Sequence, residues 1–155
     1  MAKEVVSIKI EGARELEQSL LDLAEEFSSR NAKNVLRRAL RDGAQIIADA
    51  GEGNAPRRSG KLSESYTVGT KLSKRQKTLH RKESDMEVFA GPTPHAKSVQ
   101  TEFGNSHQAA HPHLRPAWDS NWRKSLDVII EQAKVRLEAT RARLVRRQQK
   151  LLGQL

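Results

Sequence analysis

From Ala117 to about Leu152 the chain contains neither proline nor glycine, and the first of either to follow is Gly153. Nothing in that stretch interrupts a backbone hydrogen-bond ladder, so it is expected to form one long helix. Its first half carries Trp118, Trp122, Leu126, Ile129, Ile130 and Ala133, a stripe broad enough to face a domain core. In the second half Ile130, Leu137, Leu144 and Leu151 recur every seven residues, but Ala133, Thr140 and Arg147 are poor companions for them. That is half of a coiled-coil seam. It leaves two readings open: an interchain helix contact, or a solvated helix that lies against a neighbouring subunit or frays.

The rest of the chain is shorter-grained. Val5-Val6-Ser7-Ile8-Lys9-Ile10 alternates as a short strand stopped by Gly12. From Ala13 the period turns helical, with Leu16, Leu20, Leu23 and Phe27 on one stripe and Glu15, Glu17, Glu25 and Glu26 facing water. Asn31 is placed to cap a second helix, whose stripe includes Val35, Ala39, Leu40, Ile46 and Ile47 opposite Arg37, Arg38 and Arg41. Gly43 within it costs about 1 kcal/mol relative to alanine, tolerable where another element packs closely. The run from Gly51 to Gly60 reads as a breaker. Ser65 to Thr70 and Met86 to Gly91 then read as two strands of a hairpin with a long polar arm between them. Pro92-Thr93-Pro94 ends the hairpin, and His95 to Phe103 makes a short helix closed by Gly104. A polar loop from Asn105 to Pro112 leads to the final helix. The expected class is therefore α+β, a small antiparallel sheet packed by helices with a long basic C-terminal helix and a basic hairpin arm.

Charge is concentrated in two places. The net charge is +9 in 155 residues, yet residues 1–30 hold four basic and seven acidic side chains. The arm, about residues 71–85, holds Lys71, Lys74, Arg75, Lys77, Arg81 and Lys82 against two acids. Residues 134–155 hold seven basic side chains, among them Arg141, Arg143, Arg146, Arg147 and Lys150, against Glu138 alone. Both segments suit phosphates or an acidic protein face. Neither arm nor tail carries an aromatic that would stack on single-stranded bases, so attraction to nucleic acid would be sequence-blind and salt-dependent.

Several function classes lose support. There is no cysteine, which removes disulfide frameworks and cysteine-ligated metal sites. No apolar run approaches the roughly 18 residues of a membrane span. The opening MAKEVVSIKIEG lacks the layout of a secretory signal, so synthesis in a cytoplasm is expected. His95, His107, His111 and His113, with Glu102 nearby, invite a metal reading. Three of them sit in a loop, however, and an extended HxH step turns His111 and His113 to opposite sides, so they are read as polar loop residues. Glu102 and Asp119 are single carboxylates without an implied partner. Arg57-Arg58-Ser59-Gly60-Lys61 does not follow a strand and lacks the spacing of a phosphate-binding loop. No catalytic constellation is left, and no cofactor or metal is expected.

Two segments carry a resemblance. The first is Ala55-Pro56-Arg57-Arg58-Ser59-Gly60-Lys61-Leu62-Ser63-Glu64-Ser65, preceded near the start by Ile8-Lys9-Ile10-Glu11-Gly12 and a leucine-rich helix. The second is Glu102-Phe103-Gly104, a loop, and Pro112-His113-Leu114-Arg115-Pro116-Ala117. In this order and separation, over about Val5 to Ile130, the chain resembles the small neck proteins of long-tailed bacteriophages, also described as tail-component or tail-completion proteins. Members commonly have an aromatic where His113 stands, and often a tyrosine near residues 95–99. They do not share the last twenty or so basic residues.

The resemblance implies a domain over residues 1–133 and leaves 134–155 as a basic helical extension particular to this chain. It implies a non-enzymatic virion protein, a subunit of a homo-hexameric ring that joins the DNA-filled head to the tail tube. Its neighbours would be a head-closure or connector protein and a tail-terminator or tail-tube protein, with packaged DNA passing through non-specifically and no membrane involved. The alternatives are a tail-terminator ring or a free-standing non-specific DNA-binding protein. Pro56, Arg57, Arg58, Gly60, Leu62, Glu102, Phe103, Gly104, Pro112, Leu114, Arg115 and Pro116 are the motif residues expected at subunit contacts. Arg115 in particular, between two prolines that hold an extended lead into the last helix, is placed to reach carbonyls or a carboxylate across a subunit boundary. The arm and tail cations are the expected contacts to a DNA channel or to partners.

Overall fold

A computed structural model describes residues 13–93 and 96–153. Its elements run in chain order α1 (Ala13–Glu26), α2 (Ser29–Asn54), β1 (Tyr66–Gly69), α3 (Lys74–Leu79), β2 (Phe89–Pro92), α4 (Ala96–Phe103) and α5 (Leu114–Leu152). The protein is mostly helical, with a two-stranded antiparallel sheet packed against helices and α5 as the long final element. The strand expected at Val5 to Ile10, with its Gly12 stop, lies outside the described residues, as do Pro94 and His95.

The leucine stripe of α1 is buried as its period requires, Leu16 and Leu23 fully and Leu20 and Phe27 in part. Ser28 rather than Asn31 caps α2. Its hydroxyl accepts the Asn31 N–H at 3.4 Å and so satisfies one of the donors that a helix start leaves open. α2 then runs through Gly51 and Gly53 to Asn54, across the stretch expected to break it. Gly51 is buried beneath the Tyr66 ring, where an added Cβ would lie 2.8 Å from the hydroxyl oxygen. That close fit offsets a propensity cost of about 1 kcal/mol. The helix stops at Ala55, extended ahead of Pro56 as the residue before a proline prefers.

α2 and α5 form the main packing, and at Gly43 their backbones come close. A Cβ at Gly43 would run into Ile129 and lie 2.7 Å from the Ser125 carbonyl, while the Ser125 hydroxyl donates to the Gly43 carbonyl at 2.8 Å. The close neighbour that this glycine needed is therefore α5. Two apolar clusters fill the three-helix layer. Leu16, Ala39 and Ala133 form one, with Ile129 and Ile130 against it. Leu23, Val35 and Leu137 form the other, with Phe27 and Leu144 against it. The seven-residue series thus packs inside its own chain from Ile130 to Leu144. Only Leu151 stands clear, 58% exposed.

α5 begins at Leu114, three residues before the expected start. Pro116 accordingly sits inside its first turn and not in an extended lead-in. It costs no hydrogen bond there, because the first four N–H groups of a helix have no intrahelical acceptor.

β1 and β2 pair antiparallel, Tyr66 opposite Pro92 and Gly69 opposite Phe89. This is the expected hairpin, with the second strand starting at Phe89 in place of Met86. The arm between them contains α3, begun by a capping box in which Ser73 accepts the Gln76 N–H at 3.3 Å and donates its own N–H to the Gln76 side chain at 3.0 Å. Short α4 ends as expected, with Gly104 at a left-handed φ of 75°.

Candidate functional site

The two halves of the second motif segment meet at the start of α5, and a buried carboxylate holds them there. Glu102, at the end of α4, is 5% exposed. One of its oxygens accepts the N–H groups of His113 at 2.8 Å and Leu114 at 3.0 Å. The other accepts the N–H of Arg115 and its Nε, both at 3.1 Å, and the same guanidinium donates to the Glu102 carbonyl at 3.2 Å. A 39-residue helix therefore starts on a carboxylate from another element, which fills open donors and meets the positive end of the helix dipole. Burial alone would raise the Glu102 pKa. The three backbone donors and Arg115 outweigh it and hold the carboxyl at about 2. The carboxylate that Arg115 reaches is thus one of its own chain.

His113 is the second half of the device. It was read as a polar loop residue, but it is 1% exposed and serves as the residue that precedes α5. Its ring stands edge-on to Tyr66, centroids 5.8 Å apart, and its Nδ1 is hydrogen-bonded to the Tyr66 hydroxyl. Burial, and then the charge of Glu102, push the Tyr66 pKa up, so that the hydroxyl keeps its proton. The ring's Nε2 lies 3.6 Å from the Glu102 carboxylate and is buried without a hydrogen-bond partner. The His113 carbonyl accepts from Asn54 at the end of α2, at 3.3 Å. An imidazole packed edge-on to a tyrosine takes the place of the aromatic that the sequence resemblance implies at this position.

The first motif turns the chain from α2 into β1. Ala55 and Leu62 are buried, Gly60 takes a left-handed φ of 70°, and the Ser63 hydroxyl donates to the Gly60 carbonyl at 2.8 Å. Ser65 repeats the device on the Leu62 carbonyl at 2.7 Å. Pro56, Arg57, Arg58 and Lys61 remain exposed on this turn. Pro112 is exposed as well, and Leu114 is half-buried. Phe103, 64% exposed, lies under the Arg115 guanidinium, 4.9 Å from its centroid.

The basic segments lie apart from this cap. Lys71, Lys74, Arg75, Lys77, Arg81 and Lys82 are all exposed on and around α3. On α5, Arg141 pairs with Glu26 at 2.9 Å, whereas Arg143, Arg146, Arg147 and Lys150 point away from the core and are exposed. Among the described residues no hydrogen bond or ion pair joins arm to tail. His107 and His111 are exposed and His113 is buried, so the loop does not gather them. Among the described residues no three His, Asp or Glu side chains are grouped to hold a metal ion.

Two apolar grooves open on the surface, the first of them beside the cap. One, about 520 Å³, lies between α2, β2 and the start of α5 and is lined by Leu40, Ile47, Val88, Leu114, Trp118 and Ile129. Trp118 on its edge is 57% exposed. The other, about 410 Å³, runs between α1 and α2 past Leu20, Leu21 and Leu36. Chemically the cap offers little beyond binding: four donors occupy the Glu102 oxygens, and the Tyr66 hydroxyl is held protonated. Tyr66 and Asn54 were not singled out from sequence. The aromatic preference at position 113 was the one available sign that a ring packs there.

A family model described as "Bacteriophage HK97-gp10, putative tail-component" matches residues 14–104, more than half of the chain. The match takes in the first motif and Glu102-Phe103-Gly104 and stops ahead of Pro112 to Ala117, short of the span over which the sequence resemblance was drawn. No curated protein and no solved structure matches the chain.

Proposed function

The chain belongs to the HK97-gp10-like family of bacteriophage tail components, and from that premise we propose that it is a ring subunit of the phage neck. A tail component is part of the phage particle, and no described helix is long and apolar enough to cross a membrane. In the proposed role, copies of the chain close a ring, six in number, between the head-closure or connector protein and the tail-terminator or tail tube. DNA passes through the ring without sequence readout, and the role is structural, not catalytic.

The observation that carries this reading is the apolar surface that one chain leaves uncovered: two grooves, and Trp118, Val99 and Phe103, each more than half exposed. Surface of that kind is expected of a subunit ordered further by its neighbours. The motif residues serve the ring indirectly: the cap at Glu102 and the turn at Gly60 fix where Trp118 and the exposed arginines stand. Leu137 and Leu144 pack against α1 and α2, so within residues 134–155 the last turns of α5, where Leu151 is exposed, act as an appendage of the domain.

A phage unable to make the protein is expected to yield filled heads and separate tails that do not join. Infectious particles from that mutant would sink the proposal. The mass of purified protein, alone and with tail partners, reports the ring directly. Trp118→Lys is expected to abolish ring mass while leaving the melting temperature of the monomer within a few degrees of wild type.

A further inference from the structure

Leu137 and Leu144 of α5 face the core, and the face about 100° round the helix from them is basic in the same rhythm. Arg136, Arg143 and Lys150 recur every seven residues, each one position before Leu137, Leu144 and Leu151, which sets them about 10.5 Å apart along the axis. Between the first two, α5 and the start of α2 enclose a polar groove of about 350 Å³ lined by Asn31, Asn34, Arg38, Arg136, Thr140 and Arg143. Its floor is fixed: Arg136 is ion-paired with Asp42, and its Nε is buried without a hydrogen-bond partner. Arg38 and Arg143 make no ion pair or hydrogen bond of their own in the described structure. Asn31 belongs to the first turn of the 26-residue α2, so the positive end of that helix also faces the groove. A second hollow, about 540 Å³, continues along α5 past Ala142, Arg146, Arg147 and Lys150 and shares Arg143 with the first. Ala139 lines both, so a small residue keeps the trough open where the two meet.

We propose that this trough, from Arg38 and Arg143 to Lys150, is a binding site for the phosphate backbone of duplex DNA. Three features favour a polyphosphate over an acidic protein. Arg136, Arg143 and Lys150 form one row along α5, which can follow one phosphate strand. The groove between α2 and α5 has polar, hydrogen-bonding walls suited to phosphate oxygens. Apart from Val35, no apolar side chain larger than alanine lines either hollow, whereas a protein partner would be expected to bury more apolar surface. The site uses no base contacts and is sequence-blind. The proposal separates two sets of cations that sequence had left equivalent: the tail carries the DNA contact and the arm does not. It rests on the neck reading only in the choice of duplex DNA as the occupant.

The test is binding of the full-length protein to a random-sequence duplex, followed by fluorescence anisotropy over a range of salt. Arg38→Ala with Arg143→Ala removes two cations that hold nothing else in the fold. Affinity is expected to fall at least about tenfold, and the slope of log affinity against log salt to become shallower by about two. Arg75→Ala with Lys77→Ala, in the arm, is expected to change affinity less than about threefold. The proposal is overturned if the arm variant takes the larger loss, or if the groove variant binds as wild type. It is also overturned if the protein binds poly-glutamate but shows no duplex binding at about 50 mM salt, which would assign the trough to an acidic protein. Ring formation, read by mass on the same samples, is independent of these outcomes, so failure of the DNA site and failure of the neck reading are told apart.

Discussion

At the scale of single residues, Glu102 carries the largest local consequence. Replacing it with alanine leaves three backbone donors and the Arg115 Nε without their acceptor. Glu102→Ala is therefore expected to cost about 3–5 kcal/mol, measurable by urea unfolding. The pH dependence follows from the direction of its shift. The folded carboxyl, at about 2, lies below its ordinary value of 4.5, so its stabilisation is complete above the ordinary value and is lost as pH falls towards the folded one. Wild type is expected to lose melting temperature on acidification through that window more steeply than Glu102→Gln, and parallel slopes would contradict the cap. Gly43 supplies the opposite kind of case. Alanine gains about 1 kcal/mol of helix propensity there, but its Cβ collides with Ile129 and the Ser125 carbonyl. Gly43→Ala is expected to destabilise by about 1–3 kcal/mol, and a raised melting temperature would refute the close helix crossing. Gly43 was legible as a point of close packing, but Glu102 looked solitary because most of its partners are backbone N–H groups, which every residue type except proline supplies.

Among the elements, periodicity was the most legible signal, because burial acts on whole stripes. The α1 stripe, the hairpin and α4 with its closing Gly104 all stand where their patterns put them, with shifts of one to three residues. Helix ends were the least legible. α2 passes through Gly51 because Tyr66, fifteen residues further on, packs against it, and no local pattern carries that fact. The seven-residue series of α5 was legible as a series but not as to its partner. Leu137 and Leu144 could have met another chain as well as α1 and α2. The packing makes a sharp distinction within the series. Leu137→Ala is expected to cost about 2–5 kcal/mol, and Leu151→Ala less than about 0.5 kcal/mol in the monomer. Comparable losses at both positions would mean that the far end of the helix is also packed.

For the molecule as a whole, charge and composition indicated a polar domain with two basic segments, and family resemblance supplied what physics alone did not, the phage setting. What neither could show is which cations converge. Arg38 and Arg143 are more than a hundred residues apart in sequence, and only the α2–α5 packing places them on one groove. Arg141, read as one of that set, turns instead to Glu26. The length of α5 has a further consequence. Its 39 residues make a rod of about 58 Å, while a compact 155-residue chain has a radius of gyration near 15 Å and a diameter of about 39 Å. The rod cannot fit inside such a sphere. Scattering from the dilute monomer should give a radius of gyration clearly above 15 Å. In solution the subunit will tumble as an elongated body, slowly end over end and faster about the α5 axis.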